Sequence, residues 1–383
     1  MNLFSRTNQS LLSRWWWTVD RFLLVLILIL ITIGIAMVMA ASPSVATRIG
    51  LDPYHFMIRH LIILVPSIVI MLALSLLEVK QICRLSMLMM AGCFFALIYV
   101  LLFGMEIKGA QRWIHLPGFS LQPSEFAKPA FIILAAWFMS LQKEKDGFPG
   151  MPIAIGLYGI LALLLVLQPD MGMTVVTTFC FLVMIFLAGL PFRYVFLLIF
   201  LVIGAALVAY STLPHVQSRV DRFLHPETGD TFQVEKSLSA FKNGGVFGTG
   251  PGQGTVKLSI PDAHADFVFA VAGEEFGFLF LVLLVGLYGY IIIRGVKRVA
   301  DSENLFIILS VSGLLAMMGL QALIHMGSSL SLLPTKGMTL PFLSYGGSSL
   351  LSMSVTMGMV LALTRRQAKT GIARGGLSAR SVR

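Results

Sequence analysis

Long apolar runs, most of them about 20 residues and so long enough to cross a bilayer as a helix, recur along the chain between short polar or charged turns. The pattern predicts spans at Phe22–Ala41, 58–77, 84–104, 124–141, 153–168 and 171–190, a seventh ending near Leu213, and three more at 267–293, 304–327 and 339–363. The expected fold is an all-α polytopic membrane protein of about ten transmembrane helices. One large extracytoplasmic loop, 214–266, polar and glycine-rich, separates helices 7 and 8. The whole of 1–366 reads as a single transmembrane domain. The first run reads as an uncleaved span rather than a secretory signal. Residues 367–383, with Lys369, Arg374, Arg380 and Arg383 among Gly and Ser, read as a basic, disordered cytoplasmic tail near anionic lipid.

Charge orients the spans. Arg14 beside Trp15-Trp16-Trp17, the turns with Lys80 and Arg84 and with Lys143–Asp146, the cluster Arg294, Lys297 and Arg298, and Arg365-Arg366 all fall on one side. By the positive-inside rule that side is cytoplasmic, with both termini there and the large loop outside. Composition agrees: 57% of residues are hydrophobic and only 12% charged, with a mean hydropathy of +0.87, against about 25% charged in soluble domains. The net charge of +10 follows from this orientation and does not call for nucleic acid. Cys83, Cys93 and Cys180 lie inside apolar runs and suggest no disulfide framework or cysteine metal site.

Candidate chemistry gathers on the outer side. The glycine run Gly244 to Gly254 can present backbone N–H groups to a phosphate, or be a re-entrant turn packed on the bundle. It lacks the Gly-Lys-Ser/Thr ending of a nucleotide loop. In Pro261–Phe267, Asp262, His264 and Asp266 come together with too few ligands for a metal. Asp266 stands where a carboxylate at an apolar interface has a raised proton affinity and can accept a proton from an attacking hydroxyl; the other reading is an N-cap of the eighth span. Glu125 and Lys128, three residues apart, share one helix face as either an interhelical lock or a substrate site. Asp170 is a helix cap or a catalytic group. Glu274 and Glu275 are expected to face the bundle interior, and His325 to be a hydrogen-bonded interior residue.

Taken together, Lys108-Gly109-Ala110-Gln111-Arg112-Trp113-Ile114, Gln122-Pro123-Ser124-Glu125-Phe126-Ala127-Lys128, Gln168-Pro169-Asp170-Met171-Gly172, Ala263-His264-Ala265-Asp266-Phe267, Gly273-Glu274-Glu275 and Leu340-Pro341-Phe342-Leu343-Ser344-Tyr345-Gly346-Gly347 carry a resemblance. Over about residues 15 to 366 the chain resembles the SEDS family (shape, elongation, division and sporulation), and within it the division branch, which Lys336 favours. The resemblance implies a peptidoglycan glycosyltransferase of the bacterial inner membrane, acting at the division septum, that polymerises lipid II and releases undecaprenyl pyrophosphate. It implies Asp266 as catalytic base. Glu125 and Lys128 would line a cavity, joined by Ser344 and Glu275, and Arg112, Lys257, Arg219 and Lys336 with Lys128 would hold the pyrophosphate. The implied partners are lipid II, a class B penicillin-binding transpeptidase and other divisome membrane proteins. No cofactor is required by any spacing, although a divalent cation, Mg or Mn, would suit the pyrophosphate. Lipid II transport and divisome scaffolding are the alternatives. Ala265, Asp262, Ser259, His325 and the run Ser328-Ser329-Leu330-Ser331 depart from the usual family residues.

Overall fold

The computed structural model describes residues 10–106, 111–116, 119–189, 232–334 and 337–365, with isolated positions between 193 and 221. Apart from those positions, the expected seventh span and the first part of the large loop, with Arg219, lie outside the described residues. So do Lys108, Lys336 and the tail.

Among the described residues the chain is helical throughout its apolar runs. A short helix α1 (Leu11–Thr18) precedes α2 (Arg21–Arg48), which Asp20 caps by accepting from Leu23 N at 3.0 Å. There follow α3 (His55–Ser75), α4 (Val79–Phe103), α5 (Pro123–Glu144), α6 (Gly150–Leu167) and α7 (Met171–Leu187). The amphipathic α8 (Phe232–Gly244) lies within the large loop, and a 3-10 turn (Val256–Ser259) leads to α9 (Val268–Val299), α10 (Leu305–Ser329) and α11 (Gly347–Leu363). Seven of these helices are long and apolar enough to cross a membrane, and α7 and α11 are shorter apolar helices. The protein is therefore an all-α polytopic membrane protein.

Two expectations are corrected. The last span begins at Gly347, not 339: Pro341, the positive φ of Phe342 (64°) and a serine-closed turn keep 340–346 out of the helix. The outer loop before α5 contains a hairpin, β1 (Ile114–Leu116) paired antiparallel with β2 (Phe119–Leu121), with Ile114 opposite Leu121.

Helices α5, α10 and α11 form the centre: 78% and 72% of the apolar windows of α5 and α10 are buried, against 22% for α3 and α6 and 28% for α4 and α9, and α11 is buried except at Gly347 and Leu351. Small residues make this possible: Ala127, Ala130, Ala135 and Ala136 let neighbours close on α5, and a Cβ on Gly313 of α10 would stand 2.7 Å from Ile132.

The longest helix, α9, is broken. Gly277 has φ 78° and ψ 179°, which only glycine adopts without strain, and it interrupts the helical ladder inside an apolar segment. Unpaired backbone groups in hydrocarbon cost several kcal/mol each, so the break needs partners. The glycine run supplies them. Thr249 N and Gly250 N donate to Glu274 O (2.9 Å) and Glu275 O (3.0 Å), while Phe278 N and Leu279 N donate to Gly245 O (3.0 Å) and Val246 O (3.3 Å). The contact is backbone on backbone: a Cβ at Gly248 would stand 2.2 Å from Glu275 O, and one at Gly244 2.0 Å from Gly273 O. The re-entrant, packed reading of this run is the one its hydrogen bonds fit.

Candidate functional site

The N-termini of α5, α7, α9 and α11 and the C-termini of α2 and α10 meet at one end of the bundle. At the other end, Arg294 pairs with Asp20 at 2.8 Å, Arg298 donates to Thr364 O and Arg365 to Leu77 O. Each described candidate residue belongs to the first of these ends.

Asp266 lies in the turn before α9, its backbone N donating to Asp262 O at 2.9 Å. The helix cap falls at Phe267, one residue after Asp266. The carboxylate is half-buried and faces Gly337, where a Cβ would stand 3.6 Å from Oδ2. Around the turn His264 stacks on Phe56 (4.3 Å between centroids) and touches Tyr345, and its carbonyl accepts from Tyr345 N at 2.8 Å. Burial pushes the His264 imidazole down to about 4, against the opposing pull of Asp262. Burial likewise raises the Tyr345 hydroxyl, against the Arg59 guanidinium that hydrogen-bonds it.

Segment 337–349 joins this turn to α5. Ser344 is buried, and its Oγ accepts from Leu340 N (2.8 Å), closing the turn that sends Tyr345 to His264. Ser348 Oγ donates to Ser120 O and accepts from Gln122 N, and Ser352 Oγ donates to Glu125 O at 2.6 Å. On α5, Lys128 Nζ stands 2.9 Å from Glu125 Oε2, with side chains 1% and 5% exposed. The contact is one of charge without an aligned hydrogen bond. A pair so buried is fully desolvated, and removing either partner would leave the other charge uncompensated.

Asp170 caps α7, accepting from Met173 N, and also draws in Arg112 Nη1 (3.7 Å), Gln122 Nε2 (3.2 Å) and Ser124 Oγ (3.4 Å). Arg112 donates in addition to the Gln168 and Pro169 carbonyls, so the hairpin loop, α5 and α7 share one polar knot.

The two glutamates of α9 have different work. Glu274, fully buried, accepts four hydrogen bonds: from Asn243 Nδ2 and the backbone N–H groups of Thr255, Val256 and Lys257. Gly254 must be glycine for this, because a Cβ there would lie 2.9 Å from Glu274 Oε2. Glu275 pairs with Lys257 Nζ, which also donates to Ala40 O at 2.9 Å. The partner comes from the loop and not from a neighbouring membrane helix. Arg48 of α2 donates to the Leu258 and Ile260 carbonyls, fixing the same loop to the helix end. His325 takes its expected interior place, Nδ1 2.7 Å from Met338 O.

The structure thus brings the described candidates together in four groups: Asp266 with Gly337, Glu125 with Lys128 near α11, Arg112 with Asp170 beside the hairpin, and Lys257 with Glu275 under the glycine run. Arg219 and Lys336 lie outside the described residues. The aromatic set Phe56, His60 and Tyr345 around His264, and the break at Gly277, are missing from the sequence reading. Gly277, a glycine between a charged pair and an apolar run, is the one signal that pointed to the break.

A polytopic helical bundle with a carboxylate at the junction of its large loop and helices defines a membrane-embedded class of protein. The family model described as cell cycle protein, of FtsW, RodA and SpoVE, matches residues 20–369, and the chain belongs to that family. It is 40% identical over 365 residues to the probable peptidoglycan glycosyltransferase FtsW of Caulobacter vibrioides, covering 95% of this chain and 94% of the relative. To the FtsW of Coxiella burnetii it is 37% identical, over 91% and 96%. Among solved structures, a chain from a peptidoglycan synthase complex that coordinates polymerization and crosslinking matches with TM-score 0.75 and 28% identity, over 90% and 97% of the two chains. The rod shape determining protein RodA of Thermus thermophilus matches with TM-score 0.69 and 26% identity, over 92% and 99%.

Proposed function

We infer that this chain is a peptidoglycan glycosyltransferase that polymerises lipid II during cell division. The observation that carries the reading is Asp266. It is a half-buried carboxylate in the turn one residue ahead of the α9 cap, facing Gly337, on a turn braced by His264, Tyr345 and segment 337–349. In the proposed step the 4-hydroxyl of the acceptor N-acetylglucosamine attacks the anomeric carbon of the donor N-acetylmuramic acid. The new bond forms as the bond to undecaprenyl pyrophosphate breaks, and Asp266 takes the hydroxyl proton. A positioned general base contributes about 10²–10⁴-fold to such a transfer.

Cations oppose the charge that accumulates on the departing pyrophosphate. Arg112, with its side chain 18% exposed, is the accessible member of the set. Lys128 and Lys257 are paired internally and act through the field of the site; Arg219 and Lys336 complete the assignment from sequence. Glu125, Glu275 and Ser344 hold the surrounding backbone. A divalent cation, Mg or Mn, fits this scheme as an ion carried chiefly by the pyrophosphate oxygens, since no group of three metal-ligating side chains occurs among the described residues.

By the positive-inside rule the end with Arg294, Arg298 and Arg365 faces the cytoplasm and the Asp266 end the opposite side; the inner membrane at the division septum is the location proposed from the family resemblance. A class B penicillin-binding transpeptidase and other divisome membrane proteins are the proposed partners. Purified protein with its cognate transpeptidase should convert lipid II into glycan strands. Asp266→Asn should lower that rate by about 10²-fold or more with complex formation retained. Undiminished polymerisation by the variant would overturn the base assignment. Headgroup translocation across proteoliposomes without polymerisation would replace the enzyme by a transporter.

A further inference from the structure

A polar cavity lies at the opposite end of the molecule, away from the described residues of the candidate site. Its volume is about 310 Å³, and it opens between the start of α4, the end of α5 and the start of α10. On α4, Lys80 and Arg84 are one turn apart and share a face, followed on the same stripe by Met87. Lys80 and Arg84 are exposed, and neither makes an ion pair among the described residues. On α5, Trp137, Ser140 and Glu144 line the facing wall.

The order along the stripe has chemical meaning. Two cations at the helix start are succeeded, one turn deeper, by an apolar side chain that is 40% exposed to the hydrocarbon. Trp137, half-buried on the facing wall, is the side chain that prefers the headgroup level of a membrane. A ligand that satisfies both halves carries an anionic oxygen cluster joined to an acyl chain. Basic pockets between helices on the cytoplasmic side recognise lipid headgroups by this combination. The single carboxylate, Glu144, selects further: a headgroup with an ammonium beyond its phosphate neutralises Glu144 while the phosphate meets Lys80 and Arg84.

We propose that the cavity between α4, α5 and α10 is a binding site for a phospholipid of the cytoplasmic leaflet, holding its phosphodiester between Lys80 and Arg84 and an ethanolamine ammonium at Glu144. The site is separate from the polymerising end, and it stands whatever substrate that end takes. Its acyl chain runs along Met87, outside the bundle.

The test is native mass spectrometry of the purified, delipidated full chain titrated with phosphatidylethanolamine, phosphatidylglycerol or diacylglycerol. Wild type should retain one phosphatidylethanolamine at least tenfold more tightly than diacylglycerol. Lys80→Gln with Arg84→Gln should abolish that adduct, whereas Lys143→Gln with Lys145→Gln, removing equal charge from the neighbouring turn, should leave it. Equal loss in both double variants, or in neither, overturns the site. Glu144→Gln should move the preference several-fold from phosphatidylethanolamine toward phosphatidylglycerol, and an unmoved preference overturns the ammonium assignment. Displacement of the adduct by millimolar inorganic phosphate would make the site one for a free anion and overturn the lipid.

Discussion

His264 stands two residues before Asp266, and its ring is held between Phe56 and Tyr345 in a neutral form. Burial sets its folded value near 4, whereas a histidine in the unfolded chain titrates near 6.5. Between those two values the unfolded chain carries the extra proton. The stability of the neutral ring is therefore complete above about pH 6.5 and is lost as the pH falls through 4, on the order of 3 kcal/mol in all. Thermal unfolding of the wild type should soften over that window, and His264→Phe, which keeps the stack, should flatten the dependence without changing the midpoint at pH 8. An unaltered pH slope in the variant would remove His264 as its source. The place of Asp266, a carboxylate at a loop-to-helix junction, was legible in the sequence. Its aromatic bracing was not, since Phe56 and Tyr345 come from segments far away in sequence whose approach no local pattern encodes.

At the scale of elements, the break in α9 is the feature most sensitive to one atom. A Cβ at Gly277 would stand 2.3 Å from Gly248 N and 2.4 Å from Val246 O, in a backbone region unsuited to L side chains. Gly277→Ala should cost at least about 3 kcal/mol from strain and overpacking together. Gly286→Ala and Gly289→Ala, on the same helix with open space around them, should be neutral or stabilising by up to about 1 kcal/mol. Thermal midpoints of the three variants in detergent check the contrast, and equal midpoints would refute it. Helix existence was readable from apolar run length. The start of α11 was not, because Leu340–Leu343 is apolar enough to extend a span and only Pro341 argues otherwise. The hairpin before α5 was hidden for a related reason: three-residue strands are too short to show a two-residue period.

For the whole molecule, the separation of a basic end from an end rich in carboxylates and loops makes orientation testable. Cys83, Cys93 and Cys180 are all buried, so an introduced thiol can be read against a quiet background. Gln253→Cys, exposed in the glycine run, should react with a membrane-impermeant maleimide added outside spheroplasts, and Lys143→Cys only after lysis. The reverse pattern would invert the topology. The break in α9 also bears on how the chain enters the membrane. Until the glycine run docks, four backbone groups of α9 around Gly277 have no partners in the hydrocarbon, which makes the bare segment a poor candidate to leave the translocon alone. The loop that satisfies them precedes α9 in the chain, so in the proposed topology it is available when α9 is made. Loop and helix then enter the bilayer as one cooperative unit, and the residues of the Asp266 site become ordered as α9 is released into lipid.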